Sequence, residues 1–337
     1  MKSIFFEKYG EKVLIEPWGL NCVRVRATKN NDFSDKLSAL IEPEEIDVKI
    51  EIDGNKKILI NGNLRTEITD GGVISHFNSK TGKKLLSEPY KHVAFPTINF
   101  PAREYKTLKS RLHKICLRFE SNKNERIFGL GQHQHGLMNQ KGCVIELMQR
   151  NTEVTIPFLV SDQGYGFLWN NPAIGRVELA NNLTRWIAEE TEQIDYLVVA
   201  GDSYAEILEC YSKATGFAPE MPEWALGFWQ SKLRYRSQDE LVNTAKEYIK
   251  RGLPLSVIVI DFFHWKHMGD WDFDPENWYD PVKLTKELEE IGVKAMISIW
   301  PSLNQLSNNY LPMKESGLLL ENTTGVPVHF EFIDRDP

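Results

Sequence analysis

The sequence predicts an α+β chain of two domains: an antiparallel β-sandwich over residues 1–218, then the opening βα units of a parallel, helix-covered sheet over residues 219–337. Three observations carry that expectation. Short runs of alternating polar and apolar residues fill the first two-thirds and are parted by Gly- and Asn-containing turns, the spacing of antiparallel strands. The pattern changes near Tyr204, where a helical stretch leads into a Pro-containing linker. Beyond the linker, continuous apolar runs alternate with amphipathic ones, which is how strands buried on both faces read.

In the first part the predicted strands are Lys12–Glu16, Val23–Arg26, Val48–Ile52, Ile58–Ile60 and Ile115–Phe119. Turn signals separate them at Asp53-Gly54-Asn55, Asn61-Gly62-Asn63 and Asp70-Gly71-Gly72, and Asp162-Gln163-Gly164 predicts a hairpin within the run from Thr155 to Asn171. A helix is expected over Tyr204–Thr215, ended by Gly216 and followed by the linker Pro219–Pro222. Trp224–Trp229 is the first predicted strand of the second part. Ser237 is placed to cap a helix over Gln238–Arg251 whose Leu241, Ala245, Tyr248 and Ile249 share a face, with Gly252 as its stop. Leu255–Ile260 is the second strand and ends at Asp261. After an irregular insert come a helix near Val282–Ile291, stopped by Gly292, and a third strand, Ala295–Ile299, ending at Trp300-Pro301. A closed (β/α)8 barrel takes about 250 residues. The 115 residues from Glu223 to Pro337 hold about three βα units, so the parallel part is expected to be incomplete.

Composition excludes several classes. With 337 residues, 42% hydrophobic and 26% charged, the chain has the make-up of about two globular domains. A net charge of −7 offers no basic face to nucleic acid or to an anionic membrane. Cys22, Cys116, Cys143 and Cys210 lie far apart, which indicates neither a zinc site nor a disulfide scaffold. The run Met1–Lys8 is too short and too charged for a signal peptide, and no stretch reaches the ~18 apolar residues of a membrane span. The expected location is therefore the cytoplasm, and the sequons at Asn182 and Asn322 read as chance matches. Nine tryptophans suit either sugar stacking or a large core.

The strongest site signal is Ile260-Asp261-Phe262-Phe263-His264-Trp265, at the C-terminal end of the second parallel strand. Side chains at such strand ends line the sites of barrels and open α/β sheets. A carboxylate after an apolar strand needs a partner or a ligand. Asp261 either caps the loop that follows or holds a ligand, and the rings of Phe262, Phe263, Trp265 and Trp271 around it favour sugar hydroxyls. Trp300 takes the matching position after the third strand, as a rim residue or a core one. Arg234, in Trp229–Arg236, starts from the same rim and belongs either to a solvated loop or to the cleft. Phe128-Gly129-Leu130-Gly131-Gln132 lacks the third glycine of a dinucleotide fingerprint. The pairs His133/His135 and His264/His267 lack further ligands at metal spacing and read as loop histidines. No Gly-x-Ser-x-Gly elbow occurs.

Taken together, Trp224–Trp229, Asp261–Trp265 and Gly269-Asp270-Trp271-Asp272-Phe273-Asp274-Pro275 resemble glycoside hydrolase family 31, and Phe128–Gly131, Ile156-Pro157-Phe158 and Phe167–Asn171 resemble that family's N-terminal sandwich. The resemblance covers nearly the whole chain. It implies a galactose-mutarotase-like sandwich, then the first part of a TIM barrel, in a retaining α-glucosidase or α-xylosidase acting on an oligosaccharide or small glycoside. It calls for no cofactor. Asp261 fits the family's aspartate that binds hydroxyls of the non-reducing sugar. Asn151 falls where the sandwich sends a polar loop over the active site, a place where many members have Asp.

The resemblance puts the nucleophile in a Trp-x-Asp-x-x-Glu segment, and this sequence contains none; the acid/base aspartate comes later still, and Asp334 and Asp336 lack its context. The chain is therefore expected to end before its catalytic residues and to be inactive alone. A non-catalytic carbohydrate-binding module and an inactive fragment remain as alternatives, and homo-oligomerisation of a full-length protein is left open. Phe262 follows the strand-end aspartate, where the resemblance puts the sugar's C5 hydroxymethyl group. A ring there implies a preference for xylosides, which lack that group, provided Phe262 faces the cleft.

Overall fold

The structure is a computed structural model, described for residues 2–35, 38–89, 101–322 and 324–329. Asp334 and Asp336 lie outside those residues. The chain divides into two compact units, Met1–Ala218 and Pro219–Pro337.

The first unit is built from antiparallel strands. A seven-stranded sheet runs in the order Ile4–Lys8, Glu11–Pro17, Cys22–Thr28, Ile194–Ala200, Tyr165–Trp169, Val154–Ser161, Ile127–Gln132. A five-stranded sheet follows the order Val144–Leu147, Gly175–Leu179, Leu183–Thr191, Leu112–Glu120, Arg103–Lys109, and a second one follows chain order from Lys49–Asp53 through Lys56–Asn61, Leu64–Thr69 and Ile74–Asn78 to Lys84–Ser87. Alternation does what the sequence led one to expect. In Leu112–Glu120, His113, Ile115, Leu117 and Phe119 face inward and their neighbours do not. All three sheets feed one core, with Ile15 and Val25 from the first, Leu117 and Phe119 from the second and Leu59 and Ile68 from the third. At its centre Phe167 stacks on Trp186 at 4.7 Å and on Tyr196 at 5.1 Å. The turns Asp53–Asn55 and Asn61–Asn63 join paired strands in register.

Two features of this unit explain sequence signals. The glycines of Phe128–Gln132 serve a bulge rather than a phosphate: the register against Val154–Ser161 shifts between Gly129 and Gly131. Gly131 has φ +95°, and a Cβ there would lie 2.0 Å from Val154 O. Inside the sandwich, Arg24 and Asp195 form a buried pair with Nη2–Oδ2 at 2.6 Å. Burial pushes the Asp195 carboxyl up, against the pull of the Arg24 hydrogen bond. The helix Tyr204–Thr215 ends the unit. Ser203 caps it by accepting from Glu206 N at 3.3 Å, and Gly216, at φ 96°, closes it.

The second unit is a three-stranded parallel sheet in the order Trp229–Gln230, Val257–Ile260, Lys294–Ile297. Its first strand is a correction. Trp224–Trp229 is not extended throughout: Glu223–Leu226 is a 3-10 turn begun by Pro222, and only Trp229–Gln230 pairs in the sheet. Gly227 lets the chain pass Ser256, whose Oγ would lie 1.8 Å from an added Cβ. The helix Gln238–Lys250 starts where Ser237 Oγ accepts from Glu240 N at 3.2 Å. Leu241 and Ala245 are buried and Tyr248 packs beside them, whereas Ile249 lies round the helix and is exposed. The helix Pro281–Glu290 is capped by Asp280, whose Oδ1 accepts from Lys283 N at 2.9 Å. Leu284 and Leu288 join Leu241, Ile258 and Ile260 in a second core. No helix among the described residues is long and apolar enough to cross a membrane.

Candidate functional site

The site is assembled where the strands Val257–Ile260 and Lys294–Ile297 release the chain. Asp261 is the first residue past the apolar strand and is half-buried. Its Oδ1 accepts from Phe262 N at 2.8 Å, and its carbonyl faces His264 Nδ1 at 3.0 Å. The carboxylate thus caps its own loop with one oxygen, while Oδ2 has no hydrogen bond from the described residues. The two readings of Asp261, cap or ligand holder, are compatible with one side chain.

Because the strand has ended, alternation no longer decides where Phe262 points. Its ring stacks on Trp300 at 5.1 Å and 15°, so the two residues form a continuous aromatic wall beside Asp261 and outside the barrel-side core. Phe263 adopts φ 60°, the left-handed region that costs a bulky residue on the order of 1–3 kcal/mol. That turn sets its ring 4.7 Å from Phe262 and 5.4 Å from the guanidinium carbon of Arg234. Arg234 therefore lies over the ring of Phe263. Trp265 lies under the wall, 6.0 Å from Trp300. It is buried, and its Nε1 has no hydrogen-bond partner among the described residues. An unsatisfied buried donor costs about 1–3 kcal/mol. His264 packs edge-on against Trp265 at 4.7 Å, and burial pushes its imidazole down despite the neighbouring Asp261. It is a neutral wedge under the loop.

Trp271 enters from the insert after Asp261. Its Nε1 donates to Trp300 O at 2.9 Å, so the two tryptophans share one rim. Sequence reasoning quoted the Gly269-Asp270-Trp271 run without seeing how it works. Gly269 has φ +91°, and a Cβ there would lie 2.6 Å from Leu303 Cδ2 and 2.9 Å from Ser302 O. Only glycine allows this approach. Asp270 then ties the two loops, accepting from His267 N at 2.9 Å and from Asn308 N at 3.0 Å. Asn309 Nδ2 donates to Gly269 O at 2.7 Å and to Asp270 O at 2.9 Å. These residues hold the rim; Asp270 adjoins Trp271 in sequence and could have been found there, whereas Asn309 lies well past Trp300 and gives no local signal.

Asn151 lies in the first unit, exposed in the tight turn bridged by Arg150 and Glu153. Gln134 Nε2 donates to Thr152 Oγ1 in the same turn, and His133 Nε2 and Leu130 O lie 2.8 Å apart. His133 and His135 stack on each other at 5.9 Å as loop residues. Among the described residues no group of three or more His, Cys, Asp or Glu could hold a metal.

A carboxylate whose second oxygen has no partner among the described residues, a guanidinium and a stacked aromatic wall, set at the ends of parallel strands, suit the class of carbohydrate-handling proteins. Comparison with known proteins narrows it. The N-terminal galactose mutarotase-like domain of glycosyl hydrolase family 31 matches residues 14–178, and the TIM-barrel domain of the same family matches residues 218–335. The chain is 40% identical over 333 residues to an uncharacterised family 31 glucosidase of Pseudescherichia vulneris, covering 95% of this chain and 63% of that protein. It is 32% identical over 337 residues to α-xylosidase A of Aspergillus niger, covering 94% of this chain and 45% of that protein. Among solved structures, a family 31 α-xylosidase from a soil metagenome, complexed with xylose, superposes with a TM-score of 0.92 at 42% identity, over 99% of this chain and 52% of that one. The chain belongs to glycoside hydrolase family 31. It spans 45% to 63% of the length of these relatives.

Proposed function

We propose that a protein containing this chain is a retaining α-glycosidase that releases terminal α-xylosyl residues from oligosaccharides or small glycosides. The observation that carries the reading is the Phe262–Trp300 stack beside Asp261. In this account Asp261 Oδ2 accepts from hydroxyls of the non-reducing sugar. Arg234 donates to it, Trp271 and Trp300 bound the ring, and Trp265 supports that wall from beneath. The ring of Phe262 occupies the space a C5 hydroxymethyl group needs, so glucosides are rejected by clash rather than by lost attraction. Two relatives named as α-xylosidases, one complexed with xylose, support the xyloside side of the reading.

Retention needs two carboxyl groups about 5–5.5 Å apart, one attacking the anomeric carbon while the other protonates the leaving oxygen and then activates water. Asp261 is neither of these. It binds, and neither catalytic role is assigned to a residue of this chain. Hydrogen bonds to a charged group contribute about 1.5–3 kcal/mol, so Asp261→Asn in the full-length protein is expected to lower kcat/KM on p-nitrophenyl α-xyloside by roughly 10- to 150-fold. Full-length protein that binds xylosides without turnover would make this a carbohydrate-binding module instead.

A further inference from the structure

The first parallel strand ends at Gln230, and the chain crosses to the helix Gln238–Lys250 through the short polar loop Ser231–Arg236. A surface loop holds one shape only where its groups are met by fixed partners. Gln230 meets this loop at both ends. Its Nε2 donates to Ser231 O at 2.9 Å, where the loop opens, and to the Tyr235 hydroxyl at 3.2 Å, where it closes. Its Oε1 accepts from the Tyr248 hydroxyl at 2.7 Å. The carbonyl of Ser231 can only accept, so the amide nitrogen faces the loop and the amide oxygen faces the helix. Tyr235 is a buried member of the second core and Tyr248 packs against it, so both hydroxyls are carried by anchored rings.

The helix fastens the rest of the loop. Glu240 accepts from Lys232 Nζ at 2.6 Å through Oε1 and from Arg236 N at 2.7 Å through Oε2. The Lys232 ammonium also lies 5.3 Å from the centre of the Tyr235 ring. Leu233 and Arg234 are left at the tip. Leu233 is exposed, whereas the Arg234 guanidinium carbon stands 5.4 Å from the ring of Phe263, which is 4.7 Å from Phe262. The loop is thus a bracket with two fixed feet, and the side chain it delivers to the aromatic wall is Arg234. Arginine has many rotamers to lose on binding, so a backbone fixed beforehand lowers the cost of using it.

We propose that Gln230 is a positioning residue for substrate binding: its carboxamide, aimed by Tyr248, staples the ends of the loop so that Arg234 stands at the aromatic wall. The proposal rests on the sugar site around Asp261. The test is a double-mutant cycle in the full-length protein, read as KM and kcat on p-nitrophenyl α-xyloside and as Kd for xylose. Arg234→Ala removes a charged donor and is expected to raise KM and Kd by roughly 10- to 150-fold. Gln230→Ala is expected to raise both by about tenfold and Tyr248→Phe by about two- to tenfold, with kcat changed less than about twofold. Gln230→Glu keeps the size and the acceptor for Tyr248 but cannot donate to Ser231 O, so it should match Gln230→Ala rather than the unaltered protein. In the Arg234→Ala background none of the three is expected to add more than about twofold, because each acts through Arg234. Tyr248→Phe, which removes one hydroxyl and leaves the packing, carries the test if a Gln230 variant does not fold. Losses that persist in full in the Arg234→Ala background, losses confined to kcat, or a Gln230→Glu protein that binds normally overturn the staple and leave the sugar site standing. Unchanged KM and Kd in Arg234→Ala remove Arg234 from the site, and the staple with it. Binding that ignores Asp261→Asn overturns the sugar site itself.

Discussion

In the sandwich strand Ile194–Ala200 every residue is buried, whereas in the parallel strand Lys294–Ile297 none is. Both are largely apolar apart from Asp195 and Lys294, and the difference lies in what surrounds them. Ile194–Ala200 has a hydrogen-bonded neighbour on each side and a shared core beneath it. Among the described residues Lys294–Ile297 is the outer strand of a three-stranded sheet, and Met296, Ile297 and Ile299 are exposed. Parallel sheets are stable when both faces are covered. An apolar run therefore states a demand for burial, and the described fold meets that demand in the first unit and only in part in the second.

The largest expected consequence is a difference in protection. Limited proteolysis of the 337-residue chain should cut after about Pro219 and leave a resistant core of residues 1–218, because local opening is easiest where apolar cover is thin. Uniform protection through the second unit would erase the contrast. The same chain is expected to show no turnover of p-nitrophenyl α-xyloside above an empty-vector control, since its sequence contains no Trp-x-Asp-x-x-Glu segment.

Next in size is the cost of losing a charge partner. Asp195→Ala removes the buried partner of Arg24 and leaves it only the exposed Asp35, so it should destabilise that unit by about 2–4 kcal/mol in urea denaturation. Lys246→Ala removes a half-exposed pair with Glu287 between the two barrel helices and should cost less than about 1 kcal/mol. Comparable losses at the two sites would mean that Arg24 and Asp195 are less buried than they stand here.

His76 gives the sandwich a pH signature. It is fully buried beside Thr66, and burial pushes its imidazole down to about 3, below an unfolded value near 6.5. The unfolded chain therefore binds the extra proton first. Stability from this group is complete above about pH 6.5 and is lost as pH falls toward 3, at up to about 1.4 kcal/mol per pH unit. Denaturation midpoints measured between pH 7 and 4 should show that slope, and His76→Gln should flatten it. The smallest effects belong to the helix caps. Ser203→Ala and Ser237→Ala should each cost about 1 kcal/mol. A loss at Ser203 with none at Ser237 would show that the second unit does not fold cooperatively with its helix.

Much of this was legible beforehand, for identifiable reasons. Period-two alternation and Gly-Asn turns are local, so the sandwich strands could be read directly, as could the helix Tyr204–Thr215 from its periodicity and closing glycine. Asp261 was visible because a carboxylate after an apolar strand is chemically conspicuous. The Trp224–Trp229 run misled because a proline-initiated turn and a buried strand can share an apolar composition. The side to which Phe262 turns depends on the chain leaving the strand one residue earlier, and the role of Gly269 depends on Leu303, far along the sequence; neither is a local property.

The central claim is that the aromatic wall beside Asp261 shapes a xylose-sized pocket, and it is tested most directly by the ratio of kcat/KM on p-nitrophenyl α-xyloside to that on p-nitrophenyl α-glucoside, in the full-length protein with and without Phe262→Ile. The account predicts that the xyloside is preferred and that the substitution shifts the ratio toward the glucoside by roughly 10- to 200-fold, the range a change of one or two carbons in an apolar pocket supports. A preference for the glucoside, or a ratio that Phe262→Ile leaves unchanged, would contradict it.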